Sequence, residues 1–166
     1  MRVIGGKLRG KLIHNPTDKT TRPLKDMVRE SIFNILEHSK NEKIKFKNDV
    51  VLDLFSGSGS FGIECLSRGV KKVFFFENYK PSLKILEKNI KELEIDKDSV
   101  IREINAYEIS KENIDNEKIN LIYLDPPFKD KNINKLLRKI LDLKIAHKST
   151  LIVIPVSYTH LTLPTR

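Results

Sequence analysis

Asp125-Pro126-Pro127-Phe128 stands directly after the apolar run Ile119-Asn120-Leu121-Ile122-Tyr123-Leu124. A short apolar stretch closed by turn residues predicts a buried strand. The two prolines end it, because neither has an N–H to extend a ladder and each restricts the residue before it. At the strand's carboxyl end this leaves the Asp125 carboxylate, the Pro126 carbonyl and the Phe128 ring. Two acceptors beside an aromatic face suit a planar group that bears an amino substituent, such as a nucleobase. A plain turn is the alternative use of Asp-Pro-Pro, and the rest of the chain decides between them.

A second chemical group is Asp53-Leu54-Phe55-Ser56-Gly57-Ser58-Gly59-Ser60-Phe61-Gly62, which follows one predicted strand and opens a helix. Gly57, Gly59 and Gly62 have the G-x-G-x-x-G spacing that lets a backbone turn tightly and approach a nucleotide. Glu77 ends the next apolar run, placed to accept hydrogen bonds from both hydroxyls of a ribose. Asn105-Ala106, after a third predicted strand, is where an adenine amine would be met, although Asn there is also an ordinary turn residue. Two cofactors compete for this loop. A dinucleotide would set its pyrophosphate on the glycine backbone and helix N-terminus. S-adenosylmethionine carries an ammonium instead, for which Asp53 is a good acceptor, whereas Asp53 is a poor neighbour for a pyrophosphate. Asp53 together with the Asp125 corner favours the methyl donor, with Phe55, Ser56, Gly57 and Gly59 lining it.

Positioning these groups requires alternating elements. Val50-Val51-Leu52, Val73 to Phe76, Val100 to Ile104, Leu121 to Leu124 and Leu151 to Ile154 read as strands. Helices are predicted from Phe61 to Ser67, from Pro81 with Leu83, Leu86, Ile90 and Leu93 on one face, and over 132–143. Strands alternating with helices of this length imply βαβ units and a parallel sheet covered on both faces. Ahead of them, Val3-Ile4-Gly5-Gly6 and Lys11-Leu12-Ile13 flank Lys7-Leu8-Arg9-Gly10, a glycine-punctuated hairpin. A helix over about 24–38 follows, with Val28, Ile32, Ile35 and Leu36 as its apolar stripe.

The chain of 166 residues is long enough for one domain with a real core. No apolar stretch reaches the ~20 residues that cross a bilayer, and the N-terminus lacks the build of a secretory signal. Cys65 is the only cysteine, which excludes an internal disulfide and points to a reducing, cytoplasmic setting. His14, His38, His147 and His160 show no metal-ligand spacing, so no metal is expected. The net charge is +9, and residues 1–30 hold eight basic against three acidic side chains, over half of that excess. Such a skew predicts a basic face for a polyanion, nucleic acid above all.

With these residues in place the chain resembles the RsmD family of ribosomal RNA methyltransferases, from about residue 2 to residue 155. Three blocks carry the resemblance: Arg2-Val3-Ile4-Gly5-Gly6-Lys7-Leu8-Arg9-Gly10; Arg22-Pro23 with Asp26-Met27-Val28-Arg29-Glu30-Ser31-Ile32-Phe33-Asn34; and the Asp53 loop with the Asp125 tetrapeptide. The glycine loop is common to many methyltransferases; the first two blocks are the specific ones. The resemblance implies a Rossmann-like, class I methyltransferase α/β fold with a seven-stranded sheet and S-adenosylmethionine as donor. It implies guanine N2 of 16S ribosomal RNA as acceptor, free or in the small subunit, acted on by a monomer. Asp125, Pro126 and Phe128 would then be catalytic, and Lys7, Arg9, Lys11 and Arg22 would contact RNA, with Arg29 an even choice between such a contact and a solvated helix face. The expected division is a basic hairpin over 1–22, a methyltransferase domain over 23–155 and an atypical tail over 156–166 whose strands are cut short. Leu24 departs from the family's usual Thr. Adenine N6, a protein glutamine, or RNA binding without catalysis are the rival functions, and a nicotinamide-dependent oxidoreductase is a distant one.

Overall fold

The computed structural model describes residues 1–17, 26–38, 44–127 and 129–155, so the expectations for Arg22, Leu24, Phe128 and the 156–166 tail fall outside the described residues. In chain order the elements are α1 (Asp26–His38), β1 (Val50–Asp53), α2 (Ser60–Ser67), β2 (Lys72–Phe76), α3 (Lys80–Glu92), β3 (Ser99–Arg102), β4 (Leu121–Tyr123), α4 (Ile133–Asp142) and β5 (Leu151–Val153). The described strands form one five-stranded sheet in the order β3-β2-β1-β4-β5, parallel throughout. The seven strands implied by the resemblance are therefore five among the described residues. Continuous apolar strands result because both faces are covered. Val51 and Phe75 face Phe61, Ile63, Leu86 and Ile90 on one side. Leu52, Phe74 and Ile122 face Leu136, Leu137 and Ile140 on the other.

Chain order reverses at the middle of the sheet. β1 runs on to β2 and β3 on one side, and the chain then crosses back to lay β4 and β5 on the other. Asp53 pairs with Tyr123 across β1 and β4, so the segments that follow, one with the glycines and one with Asp125, part at adjacent strand ends. In open α/β sheets the crevice at this switch point is where ligands sit.

The N-terminal hairpin forms as the sequence predicts: Arg2 bridges Leu12 in antiparallel fashion, and the Val3 N–H donates to the Lys11 carbonyl at 3.0 Å. It is built into the main core, since Val3 and Ile13 are buried with residues of α1, α2 and α3. The seat is polar. Glu64 of α2, fully buried, accepts the N–H groups of Ile4 at 2.9 Å and Gly5 at 2.7 Å, and the Arg68 guanidinium at 3.0 Å. Gly6, at φ +75°, packs so closely on α2 that a Cβ would lie 1.9 Å from the Ser67 carbonyl oxygen, which only glycine allows. Replacing Glu64 with alanine would orphan two backbone donors and leave Arg68 without its buried partner. We expect Glu64→Ala to cost about 3–5 kcal/mol in urea unfolding; a loss below about 1 kcal/mol would mean the hairpin does not depend on this anchor.

Helix α1 corrects the sequence analysis. Its buried face is Arg29, Phe33 and Leu36, while Val28 is 40% and Ile35 64% exposed. The true stripe is displaced by about one residue because Arg29 occupies an inner position. Its guanidinium donates to the Arg2 carbonyl at 2.5 Å and to Asp26 at 3.1 Å, and burial lowers its pKa. Arg29 is thus a tie between α1 and the hairpin, not a phosphate contact or a solvated helix face.

Candidate functional site

The chain leaving β1 is stitched to both neighbours. The Leu54 N–H donates to the Tyr123 carbonyl of β4 at 3.1 Å, and the Ser56 N–H to the Phe76 carbonyl of β2 at 3.0 Å. The glycine loop is therefore swung across the top of the sheet. Its three glycines differ in purpose. At Gly59 a Cβ would come 2.4 Å from Leu86, and at Gly62 2.3 Å from the Phe75 ring, so both are needed for packing. At Gly57, φ +55°, a Cβ would meet nothing within 4 Å. Gly57 is the position of the three that leaves room for a ligand.

Asp53 lies beneath this loop, 1% exposed. Its Oδ2 accepts the Gly62 N–H at 3.3 Å, and its Oδ1 has no hydrogen-bond partner among the described residues. Burial pushes its carboxyl up to about 8, and the negative charges of Asp125 and Glu77 push the same way, against the N–H groups of Gly62 and Phe55. An orphaned acceptor held nearly neutral by its surroundings is a site for a cation. Once ionised, this carboxylate fits the ammonium of an amino-acid-bearing cofactor and would repel a pyrophosphate.

Glu77 follows β2 and is tied down at both oxygens, accepting the Gly57 N–H at 2.8 Å and the Tyr79 N–H at 2.7 Å. Each oxygen keeps a further lone pair, so the residue can hold the loop and still accept from a hydroxyl. Asn105 caps a short turn, its Oδ1 accepting the Tyr107 N–H at 3.0 Å, and Ala106 is buried beside it. Phe55 is half-buried and meets the Tyr107 ring edge-on at 6.2 Å. Asp125 is half-buried and Pro126 buried. Burial raises the Tyr123 hydroxyl far above the usual phenol range, with the Asp125 and Asp53 charges adding to it. Asp53, Glu77 and Asp125 thus share one electrostatic neighbourhood.

Lys7, Arg9 and Lys11 lie on the hairpin and are exposed. Two links went unforeseen. Ser58 of the glycine loop donates to Asn15 at 2.9 Å, and Asn89 of α3 clasps both the His14 and Ser58 carbonyls, at 3.0 and 2.9 Å. Through them the stretch leading out of the hairpin reaches the glycine loop. Tyr107 and Asp130 were missed as well, since neither stands in a motif and they lie 23 residues apart.

A parallel sheet that reverses at its centre, with a glycine loop after one central strand and an acidic turn after its neighbour, is a Rossmann-like fold. Solved structures agree. An Escherichia coli protein, yhhF, provisionally named a methyltransferase, superposes with a TM-score of 0.78 at 26% identity, over 99% of this chain and 86% of that one. A hypothetical protein of Thermus thermophilus gives 0.76 at 19% identity, over 93% and 84%, a likeness of fold alone.

The family model described as Conserved hypothetical protein 95 matches residues 1–164, past residue 155 where the resemblance was drawn to a close. Ribosomal RNA small subunit methyltransferase D of Buchnera aphidicola is 31% identical over 152 residues, 92% of this chain and 75% of its own length. The protein of that name from Escherichia coli K12 is 32% identical over 129 residues, 78% of this chain and 61% of its own. The chain belongs to this family, the RsmD family.

Proposed function

We propose that this chain methylates the exocyclic N2 of a guanine in 16S ribosomal RNA, with S-adenosylmethionine as donor. One observation carries the proposal: the Asp125 corner leaves the sheet beside the buried, half-satisfied carboxylate of Asp53, at the point where the strand order reverses. The names of the curated relatives support the ribosomal RNA substrate.

Bound here, S-adenosylmethionine supplies an electrophilic methyl group. Asp53 Oδ1 would accept its ammonium, Gly57 would give room beside it, and Glu77 would accept from the ribose. Ser56 and Gly59 keep the loop in shape, and Phe55, Asn105 and Ala106 would border the adenine. The lone pair of a guanine amine is conjugated with the ring, which makes it a weak nucleophile. The Asp125 carboxylate and the Pro126 carbonyl each accept one of its N–H groups, drawing the nitrogen towards sp³ and aiming its lone pair into the crevice. In the role the resemblance gives it, Phe128 would stack on the extruded base, worth ~1–3 kcal/mol, against an extrusion cost of a few kcal/mol. Asp125 then takes the proton that the amine releases. Most of the acceleration is positioning. Lys7, Arg9, Lys11 and Arg22 meet the RNA phosphates. An acidic acceptor at position 125 and the basic hairpin favour guanine in RNA over adenine or a protein amide.

The test is transfer of a tritium-labelled methyl group to unmethylated small-subunit ribosomal RNA, free and assembled with its proteins. Ribonuclease-sensitive label is expected. Label that survives ribonuclease but not protease, or no label with either substrate, would overturn the proposal.

A further inference from the structure

Tyr107 makes contacts with four separate parts of the molecule. Its N–H donates to Asn105 Oδ1 at 3.0 Å, its ring meets Phe55 edge-on, and its carbonyl accepts from Lys139 Nζ of α4 at 2.6 Å. Its hydroxyl donates to Asp130 Oδ2 at 2.7 Å. Asp130 in turn organises the end of the Asp125 segment. Its Oδ1 accepts the Asn132 N–H, and its own N–H donates to the Pro127 carbonyl, both at 2.8 Å. At the segment's other end, the Leu124 N–H donates to the Val153 carbonyl of β5 at 3.0 Å.

We infer that Tyr107 is a positioning residue, whose hydroxyl latches the Asp125-Pro126 corner, through Asp130, to the side of the crevice formed by Phe55 and Asn105. The inference rests on the methyl-transfer reading of the site. Two consecutive prolines make the segment stiff, so fixing a point beyond them sets the angle at which Asp125 leaves the sheet. A phenol bonded to a carboxylate is a charge-assisted pair and stronger than a neutral one. Misplacing a reacting group by ~1 Å can cost about a hundredfold in rate. The hydroxyl belongs to the amine side of the crevice, whereas the ring packs on the donor side. Removing the hydroxyl alone therefore separates the two.

Tyr107→Phe keeps the ring against Phe55 and loses only the latch. Its single-turnover methyl transfer, with saturating donor and small-subunit ribosomal RNA, is expected to fall about ten- to a hundredfold, with donor affinity in calorimetry within about twofold of wild type. Asp130→Ala removes the acceptor of the Tyr107 hydroxyl altogether and should slow transfer similarly. The double variant should be no slower than the worse single one, because both remove the same bond. Hydrogen exchange at the amides of 129–132 should quicken in Tyr107→Phe, a readout that needs no activity. Unchanged exchange, an unchanged transfer rate, or single effects that multiply would overturn the inference. A wild-type protein that transfers no methyl group would sink the proposed function instead, and exchange would still decide whether the latch exists.

Discussion

Asp125→Ala is expected to bind S-adenosylmethionine within about threefold of wild type and to transfer no measurable methyl group to RNA. The carboxylate is asked for two things, to hold the amine and to accept its proton. General-base contributions run to about 10²–10⁴-fold and orientation adds to them. Donor binding should survive because the ammonium site proposed for it is Asp53, one strand away. Asp125→Asn keeps one oxygen acceptor but loses the base, and should fall between alanine and wild type. Calorimetry for the donor and single-turnover rates for the methyl group separate the two roles. Wild-type turnover by Asp125→Ala would remove the residue from the chemistry.

The second large effect belongs to Asp53. With its carboxyl raised to about 8, this residue is largely protonated near neutral pH before the donor binds. An ammonium seated on Oδ1 needs the ionised form, so donor binding near pH 7 should release close to one proton. Calorimetry in buffers of different ionisation enthalpy reads that number directly. Asp53→Asn should release none and bind the donor at least tenfold more weakly, on the order of 1.4 kcal/mol or more. The same shift fixes the pH dependence of the ligand-free fold. Unfolded aspartate ionises near pH 4, the folded residue near 8. Its favourable contribution is therefore complete below about pH 4 and is lost as the pH climbs towards 8. Asp53→Asn should consequently be more stable than wild type in alkaline buffer, by on the order of a few kcal/mol, with the gap closing towards pH 4. Unfolding by urea at several pH values checks the sign; a gap that widened in acid would contradict the buried, neutral carboxyl.

Where the sequence was legible, a single physical rule governed the residues. The stretches 50–52, 73–76 and 121–123 are buried on both faces, so they are unbroken apolar runs. In α3, Pro81 opens the first turn and Leu83, Leu86 and Ile90 are buried at helical spacing. Asp53 and Asp125 could be read together because each follows an apolar run, one ahead of a glycine loop and the other ahead of two prolines. Legibility failed where a polar side chain was buried. Glu64 and Arg29 have the composition of a solvated helix face, yet both are fully buried and bind the hairpin's backbone. No periodicity announces an acceptor that answers donors sixty residues away. Arg29 also displaces the stripe of α1 from its apolar spacing, because this charged side chain faces the core. Tyr107 shows the same limit at the site, since its partner Asp130 is 23 residues further along the chain.

The central claim is that the Asp125 corner presents a guanine amine for methylation. Digestion of RNA treated with the wild-type protein and S-adenosylmethionine, followed by nucleoside chromatography with mass detection, tests it most directly. A single new product, N2-methylguanosine, made by the wild type and missing from Asp125→Ala reactions, is the predicted result. N6-methyladenosine as the product, or N2-methylguanosine made equally by both proteins, would contradict it.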